Sequence, residues 1–95
     1  MLLHVTNARH VGDYRIEVSF NDGRTGIADI ADVLSGPMFT PLRDPSVFAQ
    51  FRLDRDLATI VWPNGADLAP ECLYFHAFKG HPELREQFRK WGYAA

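Results

Sequence analysis

Cys72 and His76 stand at i, i+4, with His81 five residues further on. On one helix face such a pair is half of a metal site. A closed zinc site needs two more ligands, and His4 and His10 are the only other histidines. The competing reading is a small packed thiol beside surface imidazoles. The ligand count favours that reading, so no metal site is expected. Cys72 could instead be a nucleophile. It lies two residues after Pro70, near a helix N-terminus that would favour the thiolate. No nucleophile motif surrounds it, and an inert thiol is the more frequent outcome for such a cysteine.

Paired carboxylates can do acid–base work when one of them sits in an apolar pocket. Most aspartates here (Asp13, Asp22, Asp29, Asp32, Asp44, Asp54 and Asp56) fall in turn or cap positions, where Asp has a structural role. Asp67 is the exception, lying between Trp62 and a helix opened by Pro70. Its structural reading is a cap on that helix. Gly23, Gly26 and Gly36 are too scattered to cradle a phosphate, and no Lys follows them. Lys79, Arg85, Arg89 and Lys90 interleave with Phe88, Trp91 and Tyr93, and against Glu83 and Glu86 they leave a local balance of +2. Mixed signs of this kind read as a solvated helix face. No set of catalytic or cofactor-binding residues is expected.

The elements that position these residues follow from periodicity. Leu2 to Arg9 reads as a strand. Tyr14, Ile16, Val18 and Phe20 alternate with polar residues, the pattern of a sheet with one buried face. Asp22-Gly23 marks a tight turn, with Arg24 to Ala28 returning as the hairpin partner. Asp29 to Leu34 predicts one helical turn. Asp44 and Pro45 predict another, as cap and first helical residue. Phe51–Leu53 and Leu57–Trp62 predict a second hairpin. Pro63-Asn64-Gly65 forces a turn, and Ala66 to Leu68 reads as a short returning strand. Pro70 opens a helix to Phe78, and Pro82 opens another to Trp91, striped by Leu84, Phe88 and Trp91.

The class is therefore α+β. It comprises a small, largely antiparallel sheet of about five or six strands from two hairpins, short helical turns and two C-terminal helices. Residues 1–78 form a single α+β domain. Residues 79–95 form an amphipathic helix packed on it or offered to a partner. Ninety-five residues leave room for one core only. Apolar residues at 46% argue against disorder. The net charge of −2 argues against a dedicated phosphate-backbone binder. One cysteine excludes an intramolecular disulfide. No apolar run reaches membrane-spanning length, and the first residues lack the pattern of a signal peptide. The expected setting is cytoplasmic.

One stretch carries a resemblance. Trp62-Pro63-Asn64-Gly65-Ala66-Asp67-Leu68 follows Thr59 and Ile60, and is followed by Pro70 and Leu73-Tyr74. Upstream lie Tyr14, Ile16, Val18, Phe20, Asp22 and Gly23, then Phe39, Leu42 and Phe48. With these motifs the chain resembles a family of short bacterial proteins, domain of unknown function twenty-four forty-two, over about residues 1 to 75. His76 to Ala95 lies outside the pattern. The resemblance implies a small α+β domain and no catalytic residues. Some members end in a helix-turn-helix, for which the remaining 20 residues here are too few. Others belong to two-gene, toxin–antitoxin-like pairs.

The residues by themselves specify no biochemical function. Together with the resemblance they lead to a non-catalytic protein-interaction or regulatory module. Its partner would be another protein or a second copy, with no direct contact to nucleic acid and none to membrane. Its candidate interaction residues are Trp62, Asn64 and Asp67 at the turn, and Phe88 and Trp91 on the last helix, because aromatic anchors dominate small interfaces. Trp62 has an alternative reading as core, and Asn64 as a residue that tolerates positive φ. Two other functions stay open: a small enzyme with a pocket near Trp62, Asp67 and Cys72, and a DNA-associated regulator acting through a partner.

Overall fold

The computed structural model describes residues 2–93. Met1, Ala94 and Ala95 lie outside the described residues, so the predicted C-terminal segment is described to Tyr93. Three antiparallel strands, β1 (Val5–His10), β2 (Arg15–Phe20) and β3 (Thr25–Asp29), form a sheet in that order. A second antiparallel pair, β4 (Arg52–Asp54) and β5 (Thr59–Val61), forms a separate hairpin. Three short α-helices follow the chain: α1 (Pro45–Phe48), α2 (Pro70–Phe78) and α3 (Arg85–Trp91). Tight 3-10 turns at Ala31–Val33, Thr40–Arg43 and Pro82–Leu84 complete the α+β fold.

The alternation in β2 works as read. Ile16, Val18 and Phe20 are buried, while Arg15, Glu17 and Ser19 face outward. Gly23 closes the hairpin at φ +88°, a conformation that costs a residue with a β-carbon about 1 kcal/mol. Asp44 caps α1, accepting from the Ser46 N–H at 3.0 Å; Asp29 accepts from the Ala31 N–H at 3.1 Å but lies one residue before Ile30, the cap position of the Ala31–Val33 turn. The first strand begins later than predicted. Leu2 is exposed, and Leu3 packs on the core from outside the strand. The segment predicted as Ala66 to Leu68 is reduced to a single bridge between Val61 and Asp67. The last helix is divided, because Pro82 to Leu84 coils as a 3-10 turn before α3 begins at Arg85.

One apolar cluster unites the elements. It runs from Val5, Ile16, Val18 and Phe20 on the first sheet, through Ile60 and Trp62, to Leu73, Tyr74, Phe78 and Phe88. The two hairpins are joined by the backbone, with the Val5 N–H donating to the Ala58 carbonyl at 2.9 Å. Ala58 holds a left-handed φ of +57° to present that carbonyl. Gly26 lets α2 approach β3 closely: a β-carbon there would stand 2.6 Å from Phe78 Cε1.

Candidate functional site

The sequence-predicted site residues fall into two separate groups. Around Trp62 the indole is 1% exposed and therefore core. Its Nε1–H donates to the Phe48 carbonyl at 2.8 Å, and its rings contact Phe39, Phe48 and Phe51. Asn64 is exposed but engaged at both ends of its amide. Nδ2 donates to the Met38 carbonyl at 2.9 Å, and Oδ1 accepts from the Ala66 N–H at 3.0 Å. Gly65 follows at φ +89°. The Trp-Pro-Asn-Gly run thus ties the turn to a loop 26 residues away in sequence.

Asp67 is exposed, and the cap reading for it is corrected. The residue before α2 is Ala69, with no side-chain cap. The backbone of Asp67 is held in its bridge to Val61, and that of Leu68 by the Thr59 hydroxyl, which donates to the Leu68 carbonyl. Both contacts keep Asp67 two residues short of the cap position, Ala69.

Cys72 and His76 share α2 as expected, and both are half-buried. Burial pushes the Cys72 thiol up, opposite to the thiolate a nucleophile needs. Among the described residues no three His, Cys, Asp or Glu side chains gather as a metal site. The His76 Nδ1 is buried without a hydrogen-bond partner. Burial first, and then the Lys79 charge, lower its pKa from 6.5, against smaller opposite effects of Asp32 and Asp29. A histidine whose pKa is lowered by folding contributes stability above the unfolded pKa, and that contribution is lost as pH falls through the lower folded value. Stability should therefore begin to fall as the pH drops below about 6.5, before the carboxylates titrate. Melting His76→Gln beside the parent at about pH 7.5 and about pH 5.5 checks this. The parent should lose more of its melting temperature than the variant, and equal losses would remove His76 as the cause.

The second group is open to solvent. An open cavity of about 420 Å³ lies between the β2–β3 turn, α2 and the last helix. Leu3, Tyr74, Leu84 and Trp91 give it apolar surface; Asp22, Glu83, Glu86 and Lys90 carry its charges. Three carboxylates and one ammonium line it, and cations outside the lining pair with the carboxylates: Arg24 with Asp22 and Glu83, Arg89 with Glu86. Its shape is held by a chain of polar contacts. The Tyr74 hydroxyl donates to Asp22 Oδ2 at 2.7 Å. Burial and then that hydrogen bond push the Tyr74 pKa up to about 12, so the phenol keeps its proton as donor. Arg24 spans from Asp22 at 3.9 Å to Glu83 at 3.6 Å, and Glu83 meets His81 Nδ1 at 3.1 Å. Beneath the groove Phe88 is 2% exposed and supports Trp91. Phe88 and Trp91 both contact Tyr74, so they act together.

Of the residues in and beneath this groove, sequence reading named Trp91 and Phe88 as candidates but not Tyr74, Asp22 or Leu3, which come from distant parts of the chain. No local pattern pairs residues 52 apart. A smaller cavity of about 140 Å³ lies by Lys79, His81 and Arg85. Neither cavity is lined by Trp62, Asp67 or Cys72.

Comparison with known proteins adds a relation of fold and one of family. The fold is similar to a crystal structure described as "Putative DNA Binding Protein NE0471 from Nitrosomonas europaea ATCC 19718", with a TM-score of 0.74 and 17% sequence identity. The match covers 99% of this chain and 63% of that one, so this chain spans less than two thirds of that protein's length. No curated protein matches in sequence. The family model described as "Protein of unknown function (DUF2442)" matches residues 5–79. That span runs from the first residue of β1 to the residue after α2 and takes in both hairpins and the Trp62 turn, so the chain belongs to the DUF2442 family.

Proposed function

We propose that this chain is a non-catalytic protein-interaction module and that its partner docks in the groove beside Trp91. The observation that carries this reading is the pairing of an apolar surface (Leu3, Tyr74, Leu84 and Trp91) with an acidic rim (Asp22, Glu83 and Glu86). Such a groove fits a segment that offers one apolar anchor flanked by basic side chains. The partner would be a second small protein, as in the antitoxin-like pairs that the sequence resemblance implies. Of the turn residues, Asp67 remains available at the surface; Asn64 is exposed but holds the turn with both ends of its amide, and Trp62 supports it from within.

Trp91→Ala tests the reading. Trp91 is only half-buried, so its truncation leaves a folded chain with one wall of the groove gone. A central Trp anchor is worth about 2 kcal/mol or more, roughly thirtyfold in affinity. Partners captured by the parent chain should be depleted with the Trp91→Ala bait, and the purified partner should bind it about thirtyfold more weakly. Equal capture and equal affinity would sink this reading.

A second reading, a regulator that reaches DNA through a partner, draws on the likeness to a structure described as a DNA-binding protein. The exposed cations Lys79, Arg85, Arg89 and Lys90 are compatible with it, but Glu86 engages Arg89 at 3.1 Å and the net charge is −2. Salt-dependent binding of the isolated chain to duplex DNA would favour direct contact, and none at low salt would leave only the indirect version.

A further inference from the structure

We infer that a second copy of this chain pairs antiparallel along the open edge of β3, joining two three-stranded sheets across a two-fold axis.

The argument begins with which way the backbone points. β3 is the last strand in its sheet. The Phe20 N–H donates to the Arg24 carbonyl, and the Ile30 N–H donates to the Tyr14 carbonyl. Those two contacts set the alternation of the ladder. Gly26 and Ala28 turn their N–H and C=O groups towards β2, opposite Val18 and Ile16. Thr25, Ile27 and Asp29 turn theirs away from it. Among the described residues no backbone or side-chain group pairs with those outward N–H and C=O groups.

A bare edge normally carries protection: a Lys, a Pro, a bulge or a covering segment. β3 reads Thr-Gly-Ile-Ala-Asp, with none of the first three and an Ile at its centre. Ile27 is 50% exposed. The opposite edge of the sheet is treated differently. β1 carries a bulge between Val5 and Asn7 and docks on the second hairpin through the Val5–Ala58 bond.

The edge is also complementary to itself. A two-fold axis through Ile27 places it opposite its own copy, and places Thr25 of each chain opposite Asp29 of the other. Every outward N–H and C=O on the strand then finds a partner. The pair of exposed isoleucines buries itself, and each Thr hydroxyl, bonded to Ser19 at 2.9 Å within its own sheet, stands opposite a carboxylate of which Oδ1 already accepts from the Ala31 N–H and Oδ2 is left to accept. No like charges stand directly opposite, which is the arrangement cross-strand pairing rewards. A two-fold contact needs this kind of self-matching patch. α2 lies on the other face of β3, over Gly26, and does not compete for the edge's hydrogen bonds.

The test is sedimentation velocity on the full chain over a concentration series, with Ile27→Lys and Trp91→Ala beside it. Hydrogen exchange of the Ile27 amide is followed in the same samples. The parent should convert from monomer to dimer, and the Ile27 amide should slow as dimer forms. Ile27→Lys places like charges in contact and should raise the dimer dissociation constant at least about tenfold. Trp91→Ala should dimerise as the parent does, which separates this surface from the groove. The proposal is overturned if the parent stays monomeric at its highest soluble concentration. It is also overturned if a dimer forms without protecting the Ile27 amide, or if Trp91→Ala abolishes the dimer and Ile27→Lys does not.

Discussion

Trp62→Ala should lower the melting temperature by about 15 °C or more, or abolish the cooperative transition altogether. Removing a buried Trp side chain costs about 3–5 kcal/mol, through lost burial and the cavity left behind. A domain of this size holds about 5–15 kcal/mol in total, so one substitution removes much of the margin. The indole is 1% exposed and wedged among Phe39, Phe48 and Phe51, which cannot close the gap without moving three elements. Trp62→Phe separates packing from hydrogen bonding. It keeps an aromatic ring but leaves the Phe48 carbonyl without the donor that now reaches it at 2.8 Å. A buried acceptor left bare costs about 1–3 kcal/mol. The order parent, Phe variant, Ala variant should therefore appear in thermal or denaturant melts. An Ala variant within about 1 kcal/mol of the parent would mean that the turn is not anchored through this ring.

Phe88→Ala should be nearly as damaging, by about 3–5 kcal/mol. This residue lies beyond the stretch shared with the family, which ends at residue 79. Its ring is 2% exposed and packs on Phe75 at 5.1 Å and on Tyr74 at 6.2 Å. Loss of the ring should release α3 and open the core at α2. Denaturant melts of Phe88→Ala and Trp91→Ala, side by side, check the division of labour. The first should shift the midpoint strongly and the second weakly, while the partner proposed for the groove should be lost from both. If Phe88→Ala melts with the parent, the last helix is not part of the cooperative unit, and the docked arrangement of α3 is wrong.

Much of the local structure could be read from single residues. The β2 alternation, the Asp-Gly turn, Asp44 with Pro45, and the span of α2 from Pro70 all follow from short-range rules, and each matches the fold. The second hairpin was legible for the same reason. The misreadings are also local. Asp67 looked like a cap because capping chemistry suits it, but tertiary bonds on Val61 and Leu68 hold it away from the helix start. Cys72 is a different case: its place after Pro70 allowed a thiolate, the sequence reading favoured a packed thiol, and half-burial on α2 pushes its pKa up.

Two decisions belong to three dimensions. The first is which aromatics are buried. Trp62, Phe88 and Trp91 are equally apolar in sequence, yet two are core and one is half-exposed, because burial depends on what the sheet and α2 bring against each ring. The second is the groove itself. Leu3, Asp22, Tyr74 and Trp91 are scattered over nearly the whole chain and meet only once β2, α2 and α3 have packed. The sequence alone determined the α+β class, the hairpin turns and the family, since those rest on periodicity and on turn chemistry within a few residues. Packing between distant segments determined the groove and the open β3 edge, because neither a cavity lined by carboxylates and apolar side chains nor an unpaired strand exists until the neighbouring elements are in place.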